Sequence, residues 1–360
     1  MGWQWLRGQQ QVVERFRRAA ARGRLGGSFL FVGPEGVGKR SVALELARSL
    51  LCQRSSPAQL EACEQCPGCQ QVAAGTHPDL LTVARPPDKA FLPLELLIGD
   101  AEHRMRDGLC YHLALKPLAG RYRVAIIDDA DYLNKEGANC LLKTLEEPPP
   151  HALLILIGTS PQRQLPTIRS RCQIVRFAPL ETEAVEELLL RTGQCSDPEL
   201  AHHAALCSGG SLEQARWWCD RDALAFRGQM LKYLASLGEV PAAARLATEF
   251  VEGASKESAV RRQRLKLVLN LGQELWQAVV RQQETGAMLG EAELAQAAGI
   301  ASRQMPPGAA LSCLEVGLQA LAAVDANASL VLVIEWWLDE LAQAARGGYR
   351  PTPLATLSNL

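Results

Sequence analysis

Gly33-Pro34-Glu35-Gly36-Val37-Gly38-Lys39-Arg40-Ser41 carries most of a phosphate-binding loop and departs from it at one position. Gly33, Gly38 and Lys39 meet the pattern Gly-x4-Gly-Lys. The next residue should be Ser or Thr, whose hydroxyl ligates the magnesium of a bound nucleotide. Here it is Arg40. Before the loop, Ser28 to Val32 is an apolar run of buried-strand type. After it, Val42, Leu44, Leu46, Ala47 and Leu50 recur at helical spacing through Leu51. The loop thus joins a strand to a helix N-terminus, where backbone N–H groups face a phosphate. Gly33, Gly36, Gly38, Lys39, Arg40 and Ser41 are the candidate nucleotide-binding residues of this loop. The plainer reading is a glycine-rich turn with no ligand; strand, lysine and helix in register argue for the loop. The missing hydroxyl argues against catalysis there.

The same alternation continues outward. Phe29–Val32, Leu80–Val83, Val124–Ile127, Leu153–Ile157 and Ile174–Phe177 read as strands separated by helical patterns, which predicts an α/β domain with a largely parallel sheet over 1–178. From Pro179 the strand signal stops. Glu181–Arg191, Pro198–Cys207 and Leu212–Cys219 read as short amphipathic helices, a small helical unit over 179–220. Asp222 to Ala345 is rich in Ala and Leu, so an all-helical domain is expected over 221–346, followed by a flexible tail at 347–360. Arg261, Arg262, Arg264 and Lys266 read as a solvated helix face.

Length and composition bound the function. A chain of 360 residues with 48% hydrophobic and 21% charged residues is of globular type with two or three domains. No apolar run reaches membrane-span length, and the N-terminus lacks the apolar core of a secretory signal, so a cytoplasmic location is expected. Net charge −1 supplies no global field to attract nucleic acid. Eleven cysteines without a secretory signal favour metal binding and buried thiols over a disulfide framework.

Three further constellations carry chemistry. Val124-Ala-Ile-Ile-Asp128-Asp129-Ala-Asp131 is an apolar strand ending in acid, whose first carboxylate can hold magnesium; Asp129 stands where a water-polarising Glu is usual. Cys52, Cys63, Cys66 and Cys69 have the spacing C-x10-C-x2-C-x2-C, suited to tetrahedral, structural Zn2+. A redox pair Cys66-Pro-Gly-Cys69 is the rival reading, but it leaves Cys52 and Cys63 unexplained and follows no strand. Cys110, Cys140, Cys172, Cys195, Cys207, Cys219 and Cys313 read as packing thiols. Finally, Leu165-Pro-Thr-Ile-Arg-Ser-Arg171-Cys172 places a planar, always-charged guanidinium at a domain edge. From these residues alone a surface ion pair is the simpler reading of Arg171.

These elements occur together with His77-Pro-Asp-Leu-Leu81 and Ala138-Asn-Cys-Leu-Leu-Lys-Thr-Leu-Glu-Glu-Pro148, and in that company the chain resembles the bacterial clamp-loader subunits of the AAA+ class. The resemblance is strong over about 5–215; beyond it, Asn327-Ala-Ser-Leu330 with Glu335 is similar to the family's last collar helix. The resemblance implies an AAA+ P-loop domain with an inserted zinc module near 52–69, a helical lid, and a C-terminal collar that holds subunits in a ring. It implies a place in the DNA polymerase III machinery, with tau/gamma ATPase subunits, a delta subunit, the sliding clamp and primer-template DNA as partners. It implies that Arg171 is an arginine finger acting in trans on ATP held by a neighbour, and that Lys143 lies near the DNA backbone.

The departures set the role within that family. Arg40 replaces the metal-binding hydroxyl, Asp129 the catalytic Glu, and Glu213, in Gly210-Ser211-Leu212-Glu213, the sensor Arg of motor subunits. Together they imply a subunit that does not hydrolyse ATP, although Lys39 leaves ATP or ADP binding without turnover open. Two alternatives stand beside it: an active tau/gamma-like motor ATPase, and a zinc-containing nucleic-acid-binding module on a decayed ATPase fold.

Overall fold

A computed structural model of the chain describes residues 2–348 except 4, 5, 87, 88, 105, 120, 237, 288 and 289; the tail expected at 347–360 lies beyond 348 almost wholly outside the described residues. Near the N-terminus, α1 (Gln10–Ala21) puts Val12, Val13, Phe16 and Ala20 on one buried face. Phe16 meets Phe29 and Phe31 with ring centroids 5.2 and 5.7 Å apart, which fixes the helix against the first strand.

The strands are β1 (Gly27–Val32), β2 (Leu80–Val83), β3 (Arg123–Ile127), β4 (Ala152–Ile157) and β5 (Gln173–Arg176). They form one parallel sheet in the order β2-β3-β4-β1-β5. Every residue of β3 and β4 is buried, as parallel strands covered on both faces require. The five sequence windows fall within two residues of these strands. Around the sheet lie α2 (Lys39–Leu51), α3 (Pro67–Ala73), α4 (Glu95–Ile98), α5 (Gly108–Ala114), α6 (Lys135–Glu146) and α7 (Pro166–Arg169). With all strands parallel, the loops after β1, β3 and β4 gather at their carboxyl ends, where open α/β sheets place ligand crevices.

By contacts the chain divides into two units, Met1–Arg216 and Trp217–Leu360. The first also holds α8 (Thr182–Arg191), α9 (Pro198–Leu206) and most of α10 (Leu212–Trp218). The second contains α11 (Arg221–Ser236), α12 (Val240–Glu252), α13 (Ser258–Thr285), α14 (Ala292–Gln304), α15 (Ala309–Asp325) and α16 (Leu330–Ala345), with no strand among its described residues. Trp276 and Trp337 are fully buried there. The basic run on α13 is not the solvated face its charges suggest. Arg264 lies 4.1 Å over the Phe250 ring, which stacks on Phe226, and Lys266 sits 2.6 Å from Asp325. Long cationic stems cover apolar surface while their heads find local partners. No helix among the described residues is long and apolar enough to cross a membrane.

Candidate functional site

The loop after β1 has the expected place, but its lysine is turned onto the loop's own backbone. Lys39 opens α2 and is buried; its Nζ donates to Gly33 O at 2.6 Å and Pro34 O at 2.5 Å. Burial pushes the Lys39 pKa down, against the pull of Glu35, Asp131, Asp128 and Glu213. Ser41 is exposed on the first turn.

Arg40 is the decisive side chain. Its NH1 lies 2.6 Å from Asp128 Oδ2, on the carboxylate that ends β3. A guanidinium therefore neutralises the group that in an active site of this class binds the metal. Asp129 follows in a left-handed conformation, φ 55°, and burial, aided by the adjacent Asp128 charge, raises its pKa. Asp131 is committed to structure: Thr159, just past β4, donates its backbone N and its hydroxyl to Asp131 Oδ2 at 2.8 and 2.6 Å, while Thr159 O accepts from Gly33 N at 3.0 Å. The loop and the acidic turn are thus tied through one residue.

The helix α10 closes over the loop. Leu212 N donates to Gly36 O at 3.0 Å. A Cβ on Gly36 would stand 2.3 Å from Ser211 Oγ and 2.8 Å from Glu213 Cβ, at a φ of +73°. Glu213 thus lies at the loop and brings a negative charge into the surroundings of Lys39. Glu35, Asp128, Asp131 and Glu213 thus all bring negative charge to bear on one lysine.

Cys52, Cys63, Cys66 and Cys69 come together as their spacing predicts. Their sulfurs all lie within 4.8 Å of one another, with Cys52–Cys66 at 3.9 Å and Cys63–Cys69 at 4.0 Å. Four zinc–sulfur bonds of about 2.3 Å place tetrahedral sulfurs about 3.8 Å apart, so the set fits the ion. Backbone N–H groups of Cys63, Cys66 and Cys69 point at the sulfurs of Cys52, Cys63 and Cys66, at 3.5, 3.4 and 3.4 Å. Burial opposes a thiolate at Cys52, but the surrounding N–H donors outweigh it and bring its pKa to about 6. Cys66 is lowered by the same balance, whereas burial and the neighbouring sulfurs push Cys69 up. A set that shares its protons in this way releases them on binding a cation.

Arg171 follows the C-cap of α7. Its Nε and NH2 meet Glu146 Oε1 at 2.7 and 2.5 Å, and NH1 donates to Thr167 O and Ser170 Oγ, each at 3.1 Å. Cys172 packs on the core below the sheet's helices. Lys143 on α6 is exposed. Glu146 was not singled out by its sequence context, and neither were two buried pairs. Arg48 and Glu45 pair on α2 beside the cysteines, and burial pushes Glu45 to about 7 against the pull of Arg48. Asp79 takes Arg123 at 3.2 Å and the backbone N–H groups of Leu118 and Ala119 at 2.7 and 2.8 Å. A charged residue inside an otherwise apolar helix pattern was the available signal for the first pair; the His-Pro-Asp turn was the signal for the second.

A family profile described as DNA polymerase III, delta subunit, matches residues 8–181. The DNA polymerase III subunit delta' of Pseudomonas aeruginosa is 38% identical over 185 residues, 51% of this chain and 53% of that one. Subunit delta' of Escherichia coli is 34% identical over 254 residues, 67% of this chain and 72% of that one. Subunit tau of Escherichia coli is 30% identical over 231 residues, 62% of this chain and 33% of that one. The match spans about half the length of the Pseudomonas and Bacillus subtilis delta' relatives.

Proposed function

The chain belongs to the delta-prime family of DNA polymerase III subunits, and we propose that it serves a replicative clamp loader without turning over nucleotide itself, while completing the ATPase site of a neighbour. The observation that carries this reading is the Arg40–Asp128 ion pair at 2.6 Å. It puts a fixed cation of the protein where a motor subunit needs magnesium, and phosphoryl transfer depends on that positioning and charge stabilisation. Asp129, one methylene shorter than the usual Glu, and Glu213 beside Lys39 work in the same direction.

In this reading residues 1–178 are an AAA+ domain, 179–220 its lid and 221–346 a collar that joins tau/gamma and delta subunits in a ring. The ring places the sliding clamp on primer-template DNA in the cytoplasm. Arg171 is the finger that reaches the phosphate held by the adjacent motor subunit, and the Nε–NH2 edge of its guanidinium suits that contact. The four cysteines hold a structural zinc, which fastens the 53–66 loop and α3 to the end of α2.

The purified chain should show no ATP hydrolysis above background. In a reconstituted loader, Arg171→Ala should lower DNA-stimulated hydrolysis only in part, since other sites remain, and should impair clamp loading more. Steady turnover by the chain alone, abolished by Lys39→Ala, would make it a motor ATPase instead.

A further inference from the structure

The guanidinium of Arg171 is folded back onto its own subunit. Each of its three nitrogens has a partner there: Nε and NH2 on Glu146, NH1 on Thr167 O and the Ser170 hydroxyl. The edge held by Glu146 is the one that a guanidinium offers to a carboxylate or a phosphate through two hydrogen bonds at once. Glu146 and a phosphate are therefore rivals for the same atoms.

The exposure of the pair sets how firmly that edge is held. The Arg171 side chain is 32% exposed and that of Glu146 51%. An ion pair so open to water and salt is weak, and it opens and closes readily. The two residues also come from different helices. Glu146 is the last residue of α6 and Arg171 lies just beyond α7, so α7 and its cap hold NH1 while the Nε–NH2 edge is held from α6.

We propose that Glu146 is a positioning residue for Arg171: its carboxylate holds the Nε–NH2 edge and keeps the guanidinium on its own subunit until a neighbour's phosphate takes its place. The inference rests on the reading of Arg171 as a finger acting in trans. Glu146 then restrains hydrolysis at the neighbouring site, and the restraint is small because the pair is exposed. It works wholly through Arg171.

The test uses the reconstituted loader and measures ATP hydrolysis without DNA for Glu146→Ala, Glu146→Gln, Arg171→Ala and the double variant Glu146→Ala/Arg171→Ala. Glu146→Ala should raise the rate about 1.4- to 5-fold, the range that release of an exposed ion pair gives. Glu146→Gln keeps an acceptor but no charge and should raise it less. In the Arg171→Ala background the Glu146→Ala change should vanish, a coupling that loss of fold would not produce. The rise should shrink as salt screens the pair in the parent. Melting temperature controls folding, and Glu146→Gln decides if Glu146→Ala is unstable. An unchanged or lower rate in both Glu146 variants, with Arg171→Ala still impaired, overturns this inference and leaves the finger standing. A Glu146→Ala effect that persists without Arg171 overturns it too. If Arg171→Ala leaves the loader unaffected, the finger reading itself fails and this inference falls with it.

Discussion

Arg40→Thr should turn a closed loop into one that binds nucleotide with magnesium. The variant removes a guanidinium 2.6 Å from Asp128 and supplies the hydroxyl that the motif lacks. Its cost to stability is set by exposure. At about 4 Å and an effective dielectric of 20 two charges attract by about 4 kcal/mol. The Arg40 side chain is 50% exposed, however, and Asp128 21%, so solvent cancels most of that. Measured exposed pairs contribute about 0.2–1 kcal/mol, and a change of that size lowers the melting temperature of a unit this large by no more than about 4 °C. Asp128, released, then has a free carboxylate at the metal position. Titration calorimetry with ADP should show at least about tenfold tighter binding with magnesium than without, a difference of about 1.4 kcal/mol. The parent should show no magnesium dependence. Asp128→Asn added to Arg40→Thr should remove the dependence again. Turnover should stay absent, because Asp129 and Glu213 are unchanged. Magnesium-dependent binding by the parent, or none by Arg40→Thr at intact stability, would refute the idea that Arg40 fills the metal's place.

The purified chain should contain one equivalent of zinc by metal analysis, and Cys66→Ser should lower both the zinc content and the melting temperature; a folded preparation free of metal, made without chelator, would contradict the site. Gly36→Ala adds a Cβ 2.3 Å from Ser211 Oγ at a φ of +73°, so it should destabilise by about 1–3 kcal/mol in a denaturant titration, whereas Ser41→Ala on the exposed turn should be near neutral. Glu274 is half-buried in the helical unit, and desolvation raises its pKa to about 7, with Arg227 pulling it down and Glu291 pushing it up. Its folded pKa lies above the unfolded value, so its contribution to stability is complete below pH 4.5 and lost as pH rises through about 7. Glu274→Gln should flatten that slope in melting temperature; an unchanged slope would place the titration elsewhere.

How far the sequence could be read depended on the range of the interaction. The strands were legible because β3 and β4 are buried on both faces and so are written as continuous apolar runs. The cysteine site was legible because its ligands lie within 18 residues of one another, and short spacing forces short distances. The identity of a charged residue's partner was not legible. Arg40 finds Asp128 across 88 positions, and Arg171 finds Glu146 across 25. No local period encodes such pairs; they follow from the fold, which leaves one strand, β4, between β3 and β1 and brings the end of α6 to the end of α7. The basic run on α13 failed for the same reason, since its apolar and acidic neighbours lie on α12 and α15.

That distinction bears on why a loop without its metal hydroxyl still reads as a nucleotide motif. Gly33, Gly36 and Lys39 each have a structural task in this chain that needs no ligand. A Cβ on Gly33 would stand 2.4 Å from Phe177 O, so only glycine lets β1 turn under the segment leaving β5. Gly36 is pressed against Ser211 and Glu213 and accepts the Leu212 N–H, so it seats α10 on the loop. Lys39 ties two loop carbonyls, those of Gly33 and Pro34, to the start of α2. A loop that joins the sheet to α10 by these contacts keeps its glycines and its lysine for packing. Position 40 is where the pattern breaks, and there the side chain pairs with Asp128 in place of supplying a hydroxyl. Presence of the motif therefore argues for the joint; its chemistry has to be judged at Arg40 and Asp128.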